Sequence, residues 1–492
     1  MKKTLKTLVF VLIIFTFSGC EKFLDTNPQG YLNQENYPVS AQDALLSVNA
    51  AYAPMRFTSF HSGTFPILDI MSDDARKGSN PNDAASTIGP YDNFTFTTTG
   101  AELSSWWTTL YQAIKMANVV IVKVPDIDMD ATLKNRYLGE AHFLRALYYF
   151  DMVRAWGGVP LVTELNPPLK MPRASSEAVY DLIESDLMFA IEHLPEKTAY
   201  PTDQLGRASR GAALALMAKV ALFQHDYINA EKYALDVINS NVYALEPVFT
   251  DANGVAGEHG VESVFEIGAV GQEAPPGNQY GNVQGVRGTP NRGWGFNRPT
   301  PNLRAMFESG DPRLKGTIID LGDVIDGITI IGDGPTPDVT TDDQGNIIEV
   351  ECYNRKVWTP GNDVPSQFGH NRRIIRYADV LLMAAEALNE NNKPGEALVY
   401  LNQIRSRARQ GDNTILPDIV TTDKDELRNL ILLERRRELA MEGHRFWDLV
   451  RTGRAAQVLG PLGFVAGKHE LLPVPQNEID LSQGALTQNP NW

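Results

Sequence analysis

Residues 214–238 read "LALMAKVALFQHDYINAEKYALDVI", and the fold is decided there. Small and apolar residues run to Phe223 at helical spacing, polar residues gather before a break at Asp226-Tyr227, and a second helical run follows. Ala218 in the first run and Ala230, twelve positions on, carry almost no side chain. Two antiparallel helices can therefore approach closely at that level.

The same pattern recurs at residues 381–405, "LLMAAEALNENNKPGEALVYLNQIR". Laid side by side, Leu214 meets Leu381, Ala218 meets Ala385, Ala230 meets Ala397 and Val237 meets Ile404, with the second break at Lys393-Pro394. The skeleton is similar to a tetratricopeptide repeat, with Ala in place of the usual Gly. Working outward, residues 43–52 form a short helical pattern, and Trp107, Tyr111, Ile114 and Asn118 recur at helical spacing. Residues 132–156 are strongly periodic and stop at Gly157-Gly158, while residues 176–194 begin at a Ser cap and stop before Pro195. The expected fold is mainly α, a helical repeat scaffold.

Between the two repeats, residues 241–370 are rich in Gly, Pro, Asn and Asp. Short strand-like runs such as "VESVFEIGAV" and "NIIEVECYNRKVW" are the only regular pattern there. Residues 57–100 are a second loop-rich stretch. Long irregular insertions in a packed helical protein usually carry function.

The chain starts with Lys2, Lys3 and Lys6, then the apolar run "LVFVLIIFTF" at residues 8–17, too short to span a bilayer but right for a signal-peptide core. Ser18, Gly19 and Cys20 follow, an ending that resembles a bacterial lipobox, although Phe17 stands where Leu is commoner. The expected organisation is a signal peptide at 1–19, a tether lipidated on Cys20 at 20–38, and one domain at 39–492 with an irregular binding lobe at about 241–375. Several acyl chains on one cysteine would hold the protein on a membrane, not in it. Cys352 is the only other cysteine and reads as a small buried apolar residue.

A formal charge of −16 opposes nucleic acid and anionic lipid headgroups as partners. No HExxH, CxxC, GxSxG or Walker loop is present. The acids of "DVTTDDQGN", Asp338, Asp342 and Asp343, could supply oxygen ligands to calcium but lack the spacing of an EF-hand. The charged stretch "ERRRELAMEGHRFWDLVRTGR", residues 434–454, follows a helix that Thr422 or Asp423 can cap. Glu434 and Glu438 continue that helix's apolar stripe, so they need partners, and the helical neighbours Arg437 and Arg435 are the expected ones. This points to a charge-pair lock between helices, not to catalysis.

The loop aromatics point to binding. "GVRGTPNRGWGFNRPTP", residues 285–301, sets Trp294 and Phe296 among small and polar residues, with Tyr280 just before. The early loop region adds Tyr91 and Asn93 in "YDNFTF", and Asp74 and Arg76 in "DDARKG". An aromatic face can stack on the apolar face of a sugar ring while Asn, Asp and Arg bond the hydroxyls. Asp74, Arg76, Tyr91, Asn93, Tyr280, Trp294 and Phe296 are the candidate ligand-binding residues.

Several stretches carry a resemblance. "CEKFLDTNP", "WTTLYQAIKMAN", "GDPRLKGTI", "RYADVLLMAAEALNE", "LNQIRSRA", the charged stretch at 434–454 and the ending "LLPVPQNEIDLSQGALTQNPNW" resemble the SusD/RagB family of Bacteroidetes outer-membrane lipoproteins, in the same order along the chain. The resemblance implies four tetratricopeptide-like helix pairs holding an irregular lobe. It implies a non-enzymatic cell-surface lipoprotein that binds oligosaccharide and serves a SusC-like TonB-dependent transporter, or a RagB-like peptide binder as the alternative. The family's ligand residues follow no fixed motif, so the seven candidates rest on loop position and chemistry.

Overall fold

The computed structural model describes residues 37–61, 69–269, 279–360 and 369–492. The expected signal segment, Cys20 and the expected tether up to residue 36 lie outside the described residues. Among the described residues, ten helices of seven or more residues build the scaffold: α1 Ala41–Tyr52, α2 Ala101–Lys123, α3 Ala131–Trp156, α4 Ser176–His193, α5 Arg210–Phe223, α6 Tyr227–Asn239, α7 Tyr377–Glu390, α8 Pro394–Ala408, α9 Lys424–Glu438 and α10 Arg445–Arg451. Six of these helices, α1, α3, α4, α5, α6 and α9, start at a side-chain cap. Asp130 Oδ1 accepts from Leu133 N at 2.8 Å, Ser175 Oγ from Ala178 N at 3.2 Å, and Asp423 Oδ1 from Glu426 N at 2.9 Å.

The helices pack in chain order, each against the next, from α1 through α8, and α9 closes against α7. α5, α7 and, from Tyr137 on, α3 are buried almost all round, so most of their residues are apolar and the buried charges among them are paired, Arg145 with Asp186, Glu140 with Arg207 and Lys219 with Asp379. The two hairpins noted in the sequence close by equivalent turns. Asp226 N donates to Ala221 O at 2.9 Å and Lys393 N to Leu388 O at 2.8 Å. The residue before each, His225 and Asn392, takes a left-handed backbone.

The strands of the irregular lobe among the described residues form short antiparallel pairs. β1 Ala75–Gly78 pairs with β3 Phe296–Pro299, and β2 Ser263–Ile267 with β10 Arg372–Arg376. β4 Ile318–Asp320 pairs with β9 Cys352–Asn354, β5 Val324–Ile325 with β6 Ile328–Thr329, and β7 Val339–Thr341 with β8 Ile347–Val350. Cys352 is free and buried, and burial pushes its thiol up to about 12.

The charged stretch locks the lobe to the scaffold, with different partners from those expected. Arg437 does lie 3.5 Å from Glu434, one helical turn away. Arg435, however, turns to Asp379 at 2.9 Å and Asp448 at 3.3 Å. Glu438 is held instead by Arg407 of α8, by Arg376 of β10 at 3.2 Å and by Arg313 at 3.3 Å. Glu442 takes Arg376 at 2.8 Å and Lys356 at 2.5 Å. Arg313 also reaches Glu434 at 2.7 Å and Asp311 at 2.9 Å. The side chains of this cluster are nearly all buried, so each charge depends on opposite charges brought from other elements.

Candidate functional site

β1 and β3 bring the two loop-rich regions together, in register Gly78 with Phe296 and Arg76 with Arg298. The pairing continues one step as Ser79 N donates to Gly295 O at 2.7 Å. Gly78 has a left-handed backbone, φ 67°, and a Cβ there would lie 2.6 Å from Gly295 O. On the other side, Trp294 N donates to Asn282 O at 2.9 Å, and a Cβ on Gly293 would sit 2.3 Å from that same oxygen. The small residues around Trp294 thus let three backbone segments close on each other. They pin the backbone of Trp294 and leave its ring outside.

That ring is 47% exposed, the only exposed tryptophan among the described residues. It lines a cleft of about 620 Å³ together with Phe296, Arg287, Asn291, Asp83, Asp333, Gly288 and Gly293. The volume falls in the range of small-molecule sites. Phe296 is mostly buried, with Lys77 Nζ 5.7 Å from its ring centroid.

Polar chemistry in the cleft centres on Arg287. Its guanidinium forms ion pairs with both Asp83 and Asp333, and its Nη1 donates to Ser79 Oγ at 2.7 Å. Partial burial works against the charged guanidinium, but the two aspartates outweigh it and hold Arg287 above its ordinary value. The hydrogen bond from Arg287 holds Asp83 below the usual carboxylate range. Asp333 is held low too, against some burial, by Thr336 N at 2.8 Å and by Arg287. The Arg287 carbonyl accepts from the Tyr353 hydroxyl at 2.7 Å, fixing the segment that carries it.

Of the seven sequence candidates, Trp294 and Phe296 share this cleft and five lie elsewhere. Asp74 is 0% exposed and pairs with Arg436 Nε at 2.6 Å, so it ties β1 to α9 and cannot face a ligand. Tyr91, 1% exposed, stacks on Phe96 with ring centroids 4.7 Å apart. Tyr280, 5% exposed, lies inside the lobe beside His370 and Arg372. Arg76 donates to Asp92 O at 3.1 Å, and the exposed Asn93 accepts from Thr95 Oγ1 at 2.6 Å; neither lines the cleft. Burial corrects three of these expectations: Asp74 and Tyr91 sit where the early loop packs under the scaffold, and Tyr280 sits inside the lobe. Asp83, Arg287, Asn291 and Asp333 were missed. Arg287 and Asn291 stand in the same Gly/Pro-rich stretch as Trp294, which was the available signal.

Asp73 is held by Arg445 at 2.8 Å and Arg436 at 2.9 Å, so the acids of "DDARKG" are engaged in ion pairs. The calcium candidates also read differently. Asp342 shapes the β7–β8 turn by accepting from Gln344 N at 3.0 Å and Asn346 N at 2.8 Å. No cluster of three or more His, Cys, Asp or Glu placed to hold a metal occurs among the described residues, and Asp338, Asp342 and Asp343 form none.

Comparison with known proteins extends along the whole chain. A model of the SusD family matches residues 261–463, and a family model described as starch-binding, associating with outer membrane, matches residues 22–222. A SusD-like protein of Formosa agariphila is 30% identical over 519 residues, covering 99% of this chain and 99% of its own. The chain belongs to the SusD family. Solved SusD-like structures share its fold. A laminarin-binding SusD-like protein superposes with a TM-score of 0.77 at 30% identity, covering 92% of this chain and 100% of that one. Surface glycan-binding protein A from Bacteroides thetaiotaomicron, in complex with laminarihexaose, gives 0.76 at 25% identity, covering 92% and 100%. The mainly helical scaffold with a short-stranded lobe is therefore the family's architecture. No helix among the described residues of this SusD family member is long and apolar enough to cross a membrane.

Proposed function

We propose that this protein is a cell-surface lipoprotein that binds a glycan chain in the Trp294 cleft and passes it to a SusC-like TonB-dependent transporter in the outer membrane. The observation that carries the binding step is the exposed Trp294 ring on a locked backbone, inside a cleft that also holds Asn291, Asp83 and Asp333. An indole exposed to water forgoes burial, and stacking on a sugar ring would recover it while the polar groups take the hydroxyls. The laminarin and laminarihexaose named for the related structures make β-glucan oligosaccharides the first ligands to try. Cys20 is the proposed lipid anchor, in keeping with the outer-membrane description of the family model that matches residues 22–222.

The test is calorimetric titration of the full-length protein, in a polyoxyethylene detergent, against a panel of oligosaccharides and peptides. Saturable binding of at least one glycan, weakened by Trp294→Ala, is the expected result. Binding of peptides with no response to any glycan would overturn the proposal.

A further inference from the structure

We propose that the Trp294 cleft selects uncharged glycan chains and rejects carboxylated or sulfated ones; this deepens, and rests on, the glycan-binding role above. The charged lining consists of Asp83, Asp333 and Arg287, two carboxylates and one guanidinium, a net charge of −1. Among the described residues Arg287 is the only cation in that lining, and both acids are paired to it. Asp83 and Asp333 occupy its Nη1 and Nε, so a ligand carboxylate or sulfate is left with Nη2, on a guanidinium whose charge two carboxylates already balance, and would lie there as a third anion.

The neighbouring cations are committed elsewhere. Lys77 has three N–H donors, and its Nζ donates to Gly78 O at 2.8 Å, Asp83 O at 2.9 Å and Asn80 O at 3.1 Å. Arg298 is buried and pairs with Glu349 at 2.7 Å. Arg292 is buried, with its guanidinium 5.8 Å from the Trp358 ring centroid. The whole chain's charge of −16 adds a field of the same sign. What the cleft offers is acceptors for hydroxyl groups, the carboxylate oxygens of Asp83 and Asp333 and the exposed amide of Asn291, beside an aromatic face. That is the chemistry of a neutral sugar.

The experiment titrates the full-length protein in a polyoxyethylene detergent, at low salt, with neutral hexasaccharides (laminarihexaose, cellohexaose, maltohexaose, xylohexaose) and with anionic ones (hexagalacturonate and a sulfated galactan hexasaccharide). The best neutral ligand should bind at least about tenfold more tightly than either anionic one, because like charges juxtaposed at an interface carry a penalty of that order or more. The double variant Asp83→Asn with Asp333→Asn frees Arg287 and should move the ratio of anionic to neutral affinity at least about tenfold toward the anionic ligand, with binding that weakens as salt rises. An anionic chain bound more tightly than every neutral one by the natural protein overturns the selection while leaving glycan binding intact. A ratio unmoved in a folded double variant overturns the assignment of selection to these aspartates. Absence of binding to every sugar of both classes overturns the binding role itself, and the selection with it.

Discussion

Trp294 and Glu438 show how differently two side chains can be held. Trp294 has a fixed backbone and a free ring. Replacing it by Ala should lower glycan affinity by about 1–3 kcal/mol, the range found for aromatic stacking on flat ligands, with little change in melting temperature. A titration in which the Ala variant binds as well as the natural protein would reassign Trp294 to pinning the loop. Glu438 is fully buried among Arg376, Arg407 and Arg313. Glu438→Ala should cost about 3–5 kcal/mol, because the arginines keep their charge and lose the carboxylate that balances it. Chemical denaturation would read this directly, and an unshifted midpoint would contradict the network. At this scale the sequence told which acids needed partners, since Glu434 and Glu438 continue an apolar stripe. It did not tell which arginines answered, because Arg376, Arg407 and Arg313 are far away in the chain.

Among the elements, the helices were legible and the loop paths were not. Local caps, apolar periodicity and Gly or Pro stops set both ends of α3 and α4 to within a residue or so, and the cap at Asp423 set the start of α9, because those signals act within one or two turns; α9 itself ends at Glu438, short of the expected stop at Gly443. Asp423→Ala should therefore cost α9 about 1 kcal/mol through the lost bond to Glu426 N, measurable as a lower melting temperature. The site loop depends on close backbone approach instead. Gly293→Ala would force a Cβ to 2.3 Å from Asn282 O, so the segment carrying Trp294 must move. We expect a loss of glycan affinity together with about 1–3 kcal/mol of stability, as for other overpacked sites. Unchanged affinity in that variant would mean that the pinned backbone does not position the ring. The β1–β3 pairing that joins Asp83 to the Trp294 segment links residues more than two hundred positions apart, and no local pattern in either loop announces it.

For the whole molecule, buried acids of two kinds should shape stability against pH. Burial disfavours the charge on Glu442, but Arg376 and Lys356 outweigh it and hold the group at about 2, below its ordinary 4.5. Its folded state binds protons less readily than its unfolded state, so this stabilisation is full above 4.5 and fades as pH falls toward 2. Asp448, buried beside Arg435 and Arg451, is held at about 2 and acts in the same direction. Burial instead pushes Asp69 and Asp92 up to about 7, so the folded state holds those protons more tightly and their ionisation lowers stability as pH rises from about 4 to about 7. Melting temperature measured from about pH 3 to about pH 8 should therefore peak on the mildly acidic side of neutral, and a steady rise to pH 8 would contradict the placement of Asp69 and Asp92. The sequence by itself determined the class of fold, the helix pairs and the role of the charged stretch as a lock. All of these follow from periodicity, caps and composition over short spans. Only the tertiary structure decided which arginine holds which glutamate, which loop residues sink into the core and which meet in the cleft. Those outcomes depend on contacts between segments distant in the chain, where burial turns Asp74, Tyr91 and Tyr280 inward and leaves Asp83, Arg287 and Trp294 facing the same space.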